Sequence, residues 1–197
     1  MEPWPHWRLA DMFPRDVLRE LVKLPLSGAL AGVRSGRREY RNEQRLYFDR
    51  ASMARFPVMR RVAEEMQSPA VVSAVRKSFG AAIEGTFLRI EYALDTDGFW
   101  LEPHTDIGVK KFTCFIYLDG AEDLGTDIYA DAQTFIQRVP FLPNTALAFV
   151  PGETTWHGFA PRPIAGVRRS LIINYVGAEW RAREQLCFPA APVRLMR

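Results

Sequence analysis

The hydrophobic periodicity of this chain changes once, and that change limits the fold more than any other feature. From Thr86 onward, short β-rich runs follow one another: Thr86–Tyr92, Phe99–Pro103, Lys111–Leu118, Thr126–Ala130, Thr134–Arg138, Ala146–Val150, Trp156–Phe159 and Arg169–Val176. Between them lie Asp95-Thr96-Asp97-Gly98, Asp119-Gly120, Pro143-Asn144 and Pro151-Gly152, residue types that reverse a chain. Many short strands in one region point to a β-sandwich or a jelly-roll barrel.

The segment before Thr86 reads as helices and loops. Pro14 is suited to a first helical turn, and Val17, Leu18, Leu21, Val22 and Leu24 follow at helical spacing. A second helix is predicted over Met53–Met66, and a third over Pro69–Phe79, stopping at Gly80. Residues 28–44 carry glycines and arginines without a period, and read as a loop or an irregular strand. The predicted organisation is one α+β domain, mainly β: helical support over 1–82, a jelly-roll core over 83–180 and a basic, proline-containing tail over 181–197. A chain of 197 residues suits a single core of this size.

Composition excludes several classes. Two cysteines, Cys114 and Cys187, are too few for a disulfide framework, and Cys114 sits in an apolar run as a small buried residue would. No apolar run reaches the length of a membrane span, and residues 1–14 lack the apolar stretch of a secretory leader. A cytoplasmic setting and no membrane partner are expected. The formal net charge of +3 is too mild to argue for nucleic acid. The arginines are uneven, however: Arg34, Arg37, Arg38, Arg41, Arg45 and Arg50 crowd one stretch. They form either a solvated face or a basic rim that attracts an anionic substrate.

Histidine usage carries the chemistry. Of three histidines, His6 lies near the terminus and suggests no role. His104 stands in Glu102-Pro103-His104-Thr105-Asp106, where alternation along a strand would set an imidazole and a carboxylate on one face. His157 follows in Trp156-His157-Gly158, at the start of another predicted strand. Two histidines and one carboxylate make the facial triad of non-haem Fe(II) sites, which leaves positions open for reactants. A His-x-Asp tripeptide alone is weak; its weight comes from a β-rich setting and the second histidine. Arg168 then opens an apolar strand eleven residues after His157. A buried arginine needs an anionic partner, and guanidinium matches a carboxylate through paired hydrogen bonds. That partner is either a ligand carboxylate or an acidic residue at the strand end; position alone does not decide. Ser170 shares its face by alternation.

The segment from Leu88 to Val176 resembles the 2-oxoglutarate/Fe(II)-dependent dioxygenase superfamily, in its prolyl-4-hydroxylase-like branch. The matching residues, in order, are Tyr92, Gly98, His104-Thr105-Asp106, Phe112 to Leu118, Ala148-Phe149-Val150, Trp156-His157-Gly158 and Arg168-Arg169-Ser170. The resemblance implies a double-stranded β-helix braced by helices, Fe(II) held by His104, Asp106 and His157, and 2-oxoglutarate as cosubstrate. It implies that Arg168 binds the distal carboxylate of 2-oxoglutarate with Ser170 beside it, Arg169 being the rival for that role. Tyr117 and Tyr92 match tyrosines at the cosubstrate. The implied reaction is hydroxylation of a C–H bond with O2, releasing succinate and CO2. Asp106 favours hydroxylation, because halogenases of this superfamily usually lack that carboxylate. Asp127 stands where many relatives have a Gly-Gly pair, and either faces substrate or caps a turn. Phe99, Trp100 and Trp156 are candidate pocket walls or plain core. The expected substrate is a small molecule, with an anionic one favoured by the arginine cluster, or a small group on a larger scaffold; Asn42 and Arg45 are placed to reach over the site. The rival readings are a cupin-like metal-binding module and an isomerase or lyase with the same ligand set.

Overall fold

Two sheets face each other, and the chain passes between them strand by strand. The computed structural model describes residues 3–25 and 45–195. The larger sheet contains β1 (Trp7–Leu9), β2 (Arg45–Tyr47), β3 (Phe87–Asp95), β5 (Lys110–Asp119), β8 (Thr145–Phe149) and β10 (Arg168–Val176), in the order β1-β8-β5-β10-β3-β2. The smaller holds β4 (Leu101–His104), β6 (Asp127–Tyr129), β7 (Phe135–Arg138) and β9 (His157–Phe159), in the order β4-β9-β6-β7. Their ladders are antiparallel. From β3 to β10 the chain alternates between sheets, with β6 and β7 forming a hairpin in the smaller one. This is the double-stranded β-helix expected from the run of short strands.

Each of the eight predicted strands is present, with ends displaced by up to three residues. Two more, β1 and β2, were not foreseen; they extend the large sheet at its two edges. Four helices support it: α1 (Arg15–Val22), α2 (Arg50–Arg55), α3 (Pro57–Met66) and α4 (Pro69–Phe79). The single helix expected over Met53–Met66 is two. Phe56 is extended, at φ −125° and ψ 98°, because the ring of Pro57 clashes with a helical conformation in the residue before it. Asp49 caps α2 by accepting from the Ser52 amide. Ser68 caps α4 in the same way through Val71, and Gly80 ends that helix at φ 67°, where a side chain would be strained. Residues 28–44, with Arg34, Arg37, Arg38, Arg41 and Asn42, lie outside the described residues. Arg45 belongs to β2, and Arg50 opens α2.

Alternation gives the central strands two unlike faces. Toward the helices, β3 presents Leu88, Ile90, Tyr92 and Leu94, β10 presents Leu171, Ile173 and Tyr175, and β5 presents Cys114, Ile116 and Leu118. These pack on Leu21, Met59, Val62 and Val72 in one core. Toward the smaller sheet the same strands present polar groups: Arg89, Glu91 and Asp95, then Arg168, Ser170 and Asn174, then Thr113 and Tyr117. A second, aromatic core fills the space between the sheets, with Phe99, Tyr117, Phe141, Phe149 and Phe159. Cys114 and Cys187 are free and buried; burial pushes both thiols up to about 12. Among the described residues, no helix is long and apolar enough to cross a membrane.

The helix-side core is where stability is concentrated. Leu171 is fully buried in the middle of β10. Leu171→Ala is expected to cost about 2–5 kcal/mol, from lost burial and the cavity left behind. Urea unfolding measures this as a lower midpoint at unchanged slope.

Candidate active site

The metal-site residues come from two neighbouring strands of the small sheet and the turn between the sheets. His104 ends β4 and lies directly across from His157, the first residue of β9. Their rings are 4.4 Å apart between centroids. Asp106 is just past the strand end, so its approach to His104 comes from the turn into β5 and not from strand alternation. One ligand atom from each of His104, Asp106 and His157 lies within 4.8 Å of the others. That spacing suits the three as ligands of one ion.

The surroundings prepare each group for that task. His104 Nδ1 is 2.8 Å from the Glu102 carbonyl, and His157 Nδ1 is 2.9 Å from the Thr155 carbonyl. A carbonyl only accepts, so each Nδ1 carries the proton and each Nε2 keeps its lone pair. Asp106 is held from both sides: Lys110 Nζ donates to Oδ1 at 2.5 Å and Thr113 Oγ1 donates to Oδ2 at 2.7 Å. Burial alone would raise the pKa of Asp106. The Lys110 ammonium and the hydrogen bonds from Lys110 and Thr113 outweigh burial and hold the carboxyl well below the usual carboxylate range. It therefore stays ionised, as a ligand must. Phe115 and Phe149 wall the His157 ring, at 5.6 and 4.9 Å between centroids. The donor set fits a divalent transition metal bound by nitrogen and oxygen.

The second part of the site lies on the inner face of the large sheet. Arg168 is buried, and its register sets it opposite Asp95 on β3. It donates through Nη1 to Asp95 Oδ2 at 2.5 Å and through Nε to the Leu124 carbonyl at 2.7 Å. Its guanidinium lies 4.9 Å from the Phe159 ring and 5.3 Å from that of Phe141. Ser170 is buried two residues along the same face. Tyr117 stands opposite Ser170 and donates to Thr126 Oγ1 at 2.9 Å. Burial raises the Tyr117 phenol, against the opposing pull of Thr126 and Arg168, so it remains a neutral donor. Phe159, two residues after His157, and Phe115, two before Tyr117, join this part to the metal ligands in one space between the sheets.

Of the residues singled out in the sequence, His104, Asp106 and His157 converge, while Arg168, Ser170 and Tyr117 are buried on the inner face of the large sheet. Tyr92 is not, and that expectation is corrected. It lies opposite Leu171 on the helix side of the sheet, and its hydroxyl donates to the Leu21 carbonyl at 2.9 Å. Arg169 also faces away, paired with Asp119 at 2.6 Å, which removes it as rival to Arg168. Asp127 neither faces substrate nor caps a turn. It is fully buried, bound by Arg138 at 2.7 Å, by Arg162 at 2.6 Å and by the Ala160 amide at 2.7 Å. Phe99 is core, packed on Phe159 at 5.3 Å, while Trp100 and Trp156 are half-buried. Sequence reading missed Lys110, Thr113 and Asp95. Alternation from Tyr117 back to Thr113 would have found the second of these; the others depend on folds of the chain that spacing does not encode.

No protein-family model and no curated protein matches the chain. Solved structures do. A prolyl-4-hydroxylase from Pseudomonas putida superposes with a TM-score of 0.59 at 17% sequence identity, over 87% of this chain and 92% of that one. EctD from S. alaskensis, with bound Fe, superposes at 0.62 and 12% identity, over 100% of this chain and 88% of the other. The viral collagen prolyl hydroxylase of Paramecium Bursaria Chlorella virus-1, in its 2OG complex, gives 0.55 and 12%, over 87% and 96%. At such identities the likeness establishes the fold.

The hold on Asp106 is open to measurement. Thr113→Val deletes one hydrogen bond to a buried carboxylate with little change in shape. Divalent-metal affinity, read by calorimetric titration with Mn(II), is expected to fall about 10-fold or more, and the thermal midpoint with metal absent to fall too, because Asn174 Nδ2 loses the Thr113 hydroxyl that accepts from it.

Proposed function

We propose that this chain is a 2-oxoglutarate- and Fe(II)-dependent oxygenase that hydroxylates a C–H bond of a small molecule, or of a small group on a larger scaffold. The observation that carries the reading is the convergence of His104, Asp106 and His157 in the same inter-sheet space as the buried Arg168. Likeness in fold to structures holding Fe and 2OG supports it.

The residues divide the work as follows. His104, Asp106 and His157 hold the ion, with the backbone carbonyls of Glu102 and Thr155 fixing both imidazoles. Arg168 binds the distal carboxylate of 2-oxoglutarate, Ser170 adds a hydroxyl donor, and Tyr117 lines the same pocket. Phe115, Phe149 and Phe159 exclude water from the space between. Iron with 2-oxoglutarate supplies the oxidising chemistry, by which 2-oxoglutarate and O2 become succinate and CO2 as C–H becomes C–OH. Lys110 holds Asp106 as an ionised carboxylate.

A second reading rests on one observation: Arg168 already has an acidic partner in Asp95. On that reading the chain is a cupin-like metal-binding jelly roll, or an isomerase or lyase, and Arg168 is structural. One titration separates the readings. Under anaerobic conditions, Fe(II) and 2-oxoglutarate added to the protein are expected to produce a weak visible charge-transfer band. Arg168→Ala is expected to weaken 2-oxoglutarate binding roughly 100-fold while metal binding persists. Absence of the band in the wild type, with Arg168→Ala indistinguishable from it, sinks the oxygenase reading.

A further inference from the structure

Among the described residues, the inner face of the large sheet carries more arginine than its carboxylates neutralise. Arg45 on β2 lies across from Ala93, so its side chain enters the same face as Asp95 and Arg168. Arg45 Nη2 donates to Asp95 Oδ1 at 2.9 Å, and its Nε lies 3.2 Å from Glu91 Oε1. Glu91 also receives Arg89 Nη2 at 2.5 Å. Asp95, fully buried, thus sits between two guanidiniums, one oxygen to each. Among the described residues, three arginines, Arg45, Arg89 and Arg168, share two carboxylates, Glu91 and Asp95. Lys110 does not alter this balance, since its own partner is Asp106.

The surplus positive charge is buried, and it is local. Arg89 is spent: it bonds Gln185, Asn174 and Glu91, and lies against the rings of Tyr47 and Trp180. Arg45 Nη1 is buried without a hydrogen-bond partner, and no hydrogen bond among the described residues uses Arg168 Nη2. A buried cation short of a partner is costly, and the deficit here is one anionic group. Were Arg45 absent, Asp95 would belong to Arg168 alone, and a neutral pair attracts an incoming carboxylate weakly.

We propose that Arg45 is a positioning residue for anion binding: it shares Asp95 with Arg168 and so keeps Arg168 able to take the distal carboxylate of the cosubstrate. This rests on the oxygenase reading above. Arg45 acts through charge and through Asp95, from a strand at the sheet edge outside the alternating β3–β10 core.

The test measures binding, with no turnover. Anaerobic Fe(II)-loaded protein is titrated with 2-oxoglutarate and, separately, with pyruvate, which has the keto acid but no distal carboxylate. Arg45→Met is expected to raise the 2-oxoglutarate Kd about 10-fold and leave the pyruvate Kd unchanged, and Arg45→Lys to recover most of the loss. Asp95→Asn, which removes the competing carboxylate, moves 2-oxoglutarate affinity the other way and tightens it. Opposite signs for the two substitutions separate shared charge from loss of structure, and Asp95→Asn tests the idea alone should Arg45→Met fail to fold. Equal weakening of both ligands by Arg45→Met, no change in 2-oxoglutarate affinity, or weakening by Asp95→Asn overturns the role of Arg45. A wild type that binds no 2-oxoglutarate overturns the oxygenase reading itself.

Discussion

A charge taken out of water must meet an opposite one, and the inner face of the large sheet is organised by that demand. Arg168 on β10 faces Asp95 on β3 because the two strands pair in that register. Asp95 in turn draws Arg45 into the sheet from β2, and Glu91 links Arg45 to Arg89. Arg89 bonds Asn174, Asn174 donates to Thr113, and Thr113 donates to Asp106. One connected run of polar contacts therefore extends from the candidate metal ligand to the candidate carboxylate-binding arginine. In such a buried network each member depends on its neighbours for hydrogen bonds and charge. Substitutions along it are accordingly expected to interact, and not to add.

The separation of the two faces lets one sheet serve two purposes. The helix side is apolar and supplies stability through Leu171, Ile173, Ile90 and Ile116. The inner side is polar and supplies the site. Tyr92 and Tyr117 illustrate the division. Both are fully buried tyrosines on central strands, yet one hydroxyl anchors α1 through Leu21 and the other lines the inter-sheet space beside Arg168.

Much of this was legible in the sequence. The strands of the core were readable because turn residues bracket apolar runs of the right length, and α4 because Ser68-Pro69 and Gly80 mark both its ends. The metal ligands were readable because two histidines and a carboxylate are rare in this order on a β-rich chain. β1 and β2 were not, since three residues carry no usable period and Arg45 sits in a run of arginines that reads as solvated. Tyr92 was misplaced because its face follows from a register that only the pairing with Leu171 reveals. The partners of Asp106 and Arg168 were hidden for a related reason: Lys110 reaches Asp106 by a turn, and Asp95 meets Arg168 across 73 residues.

The place of β10 has a consequence for how the protein is made. It is the last strand among the described residues, yet it lies in the middle of the large sheet, with β5 on one side and β3 on the other. Until synthesis passes Val176, β3 and β5 have no common neighbour and expose unpaired edges of the kind that invite aggregation. The nascent chain thus carries His104, Asp106 and His157 before it has the strand that completes the facing sheet. The final geometry of this candidate metal site waits on β10, as does any protection of those edges.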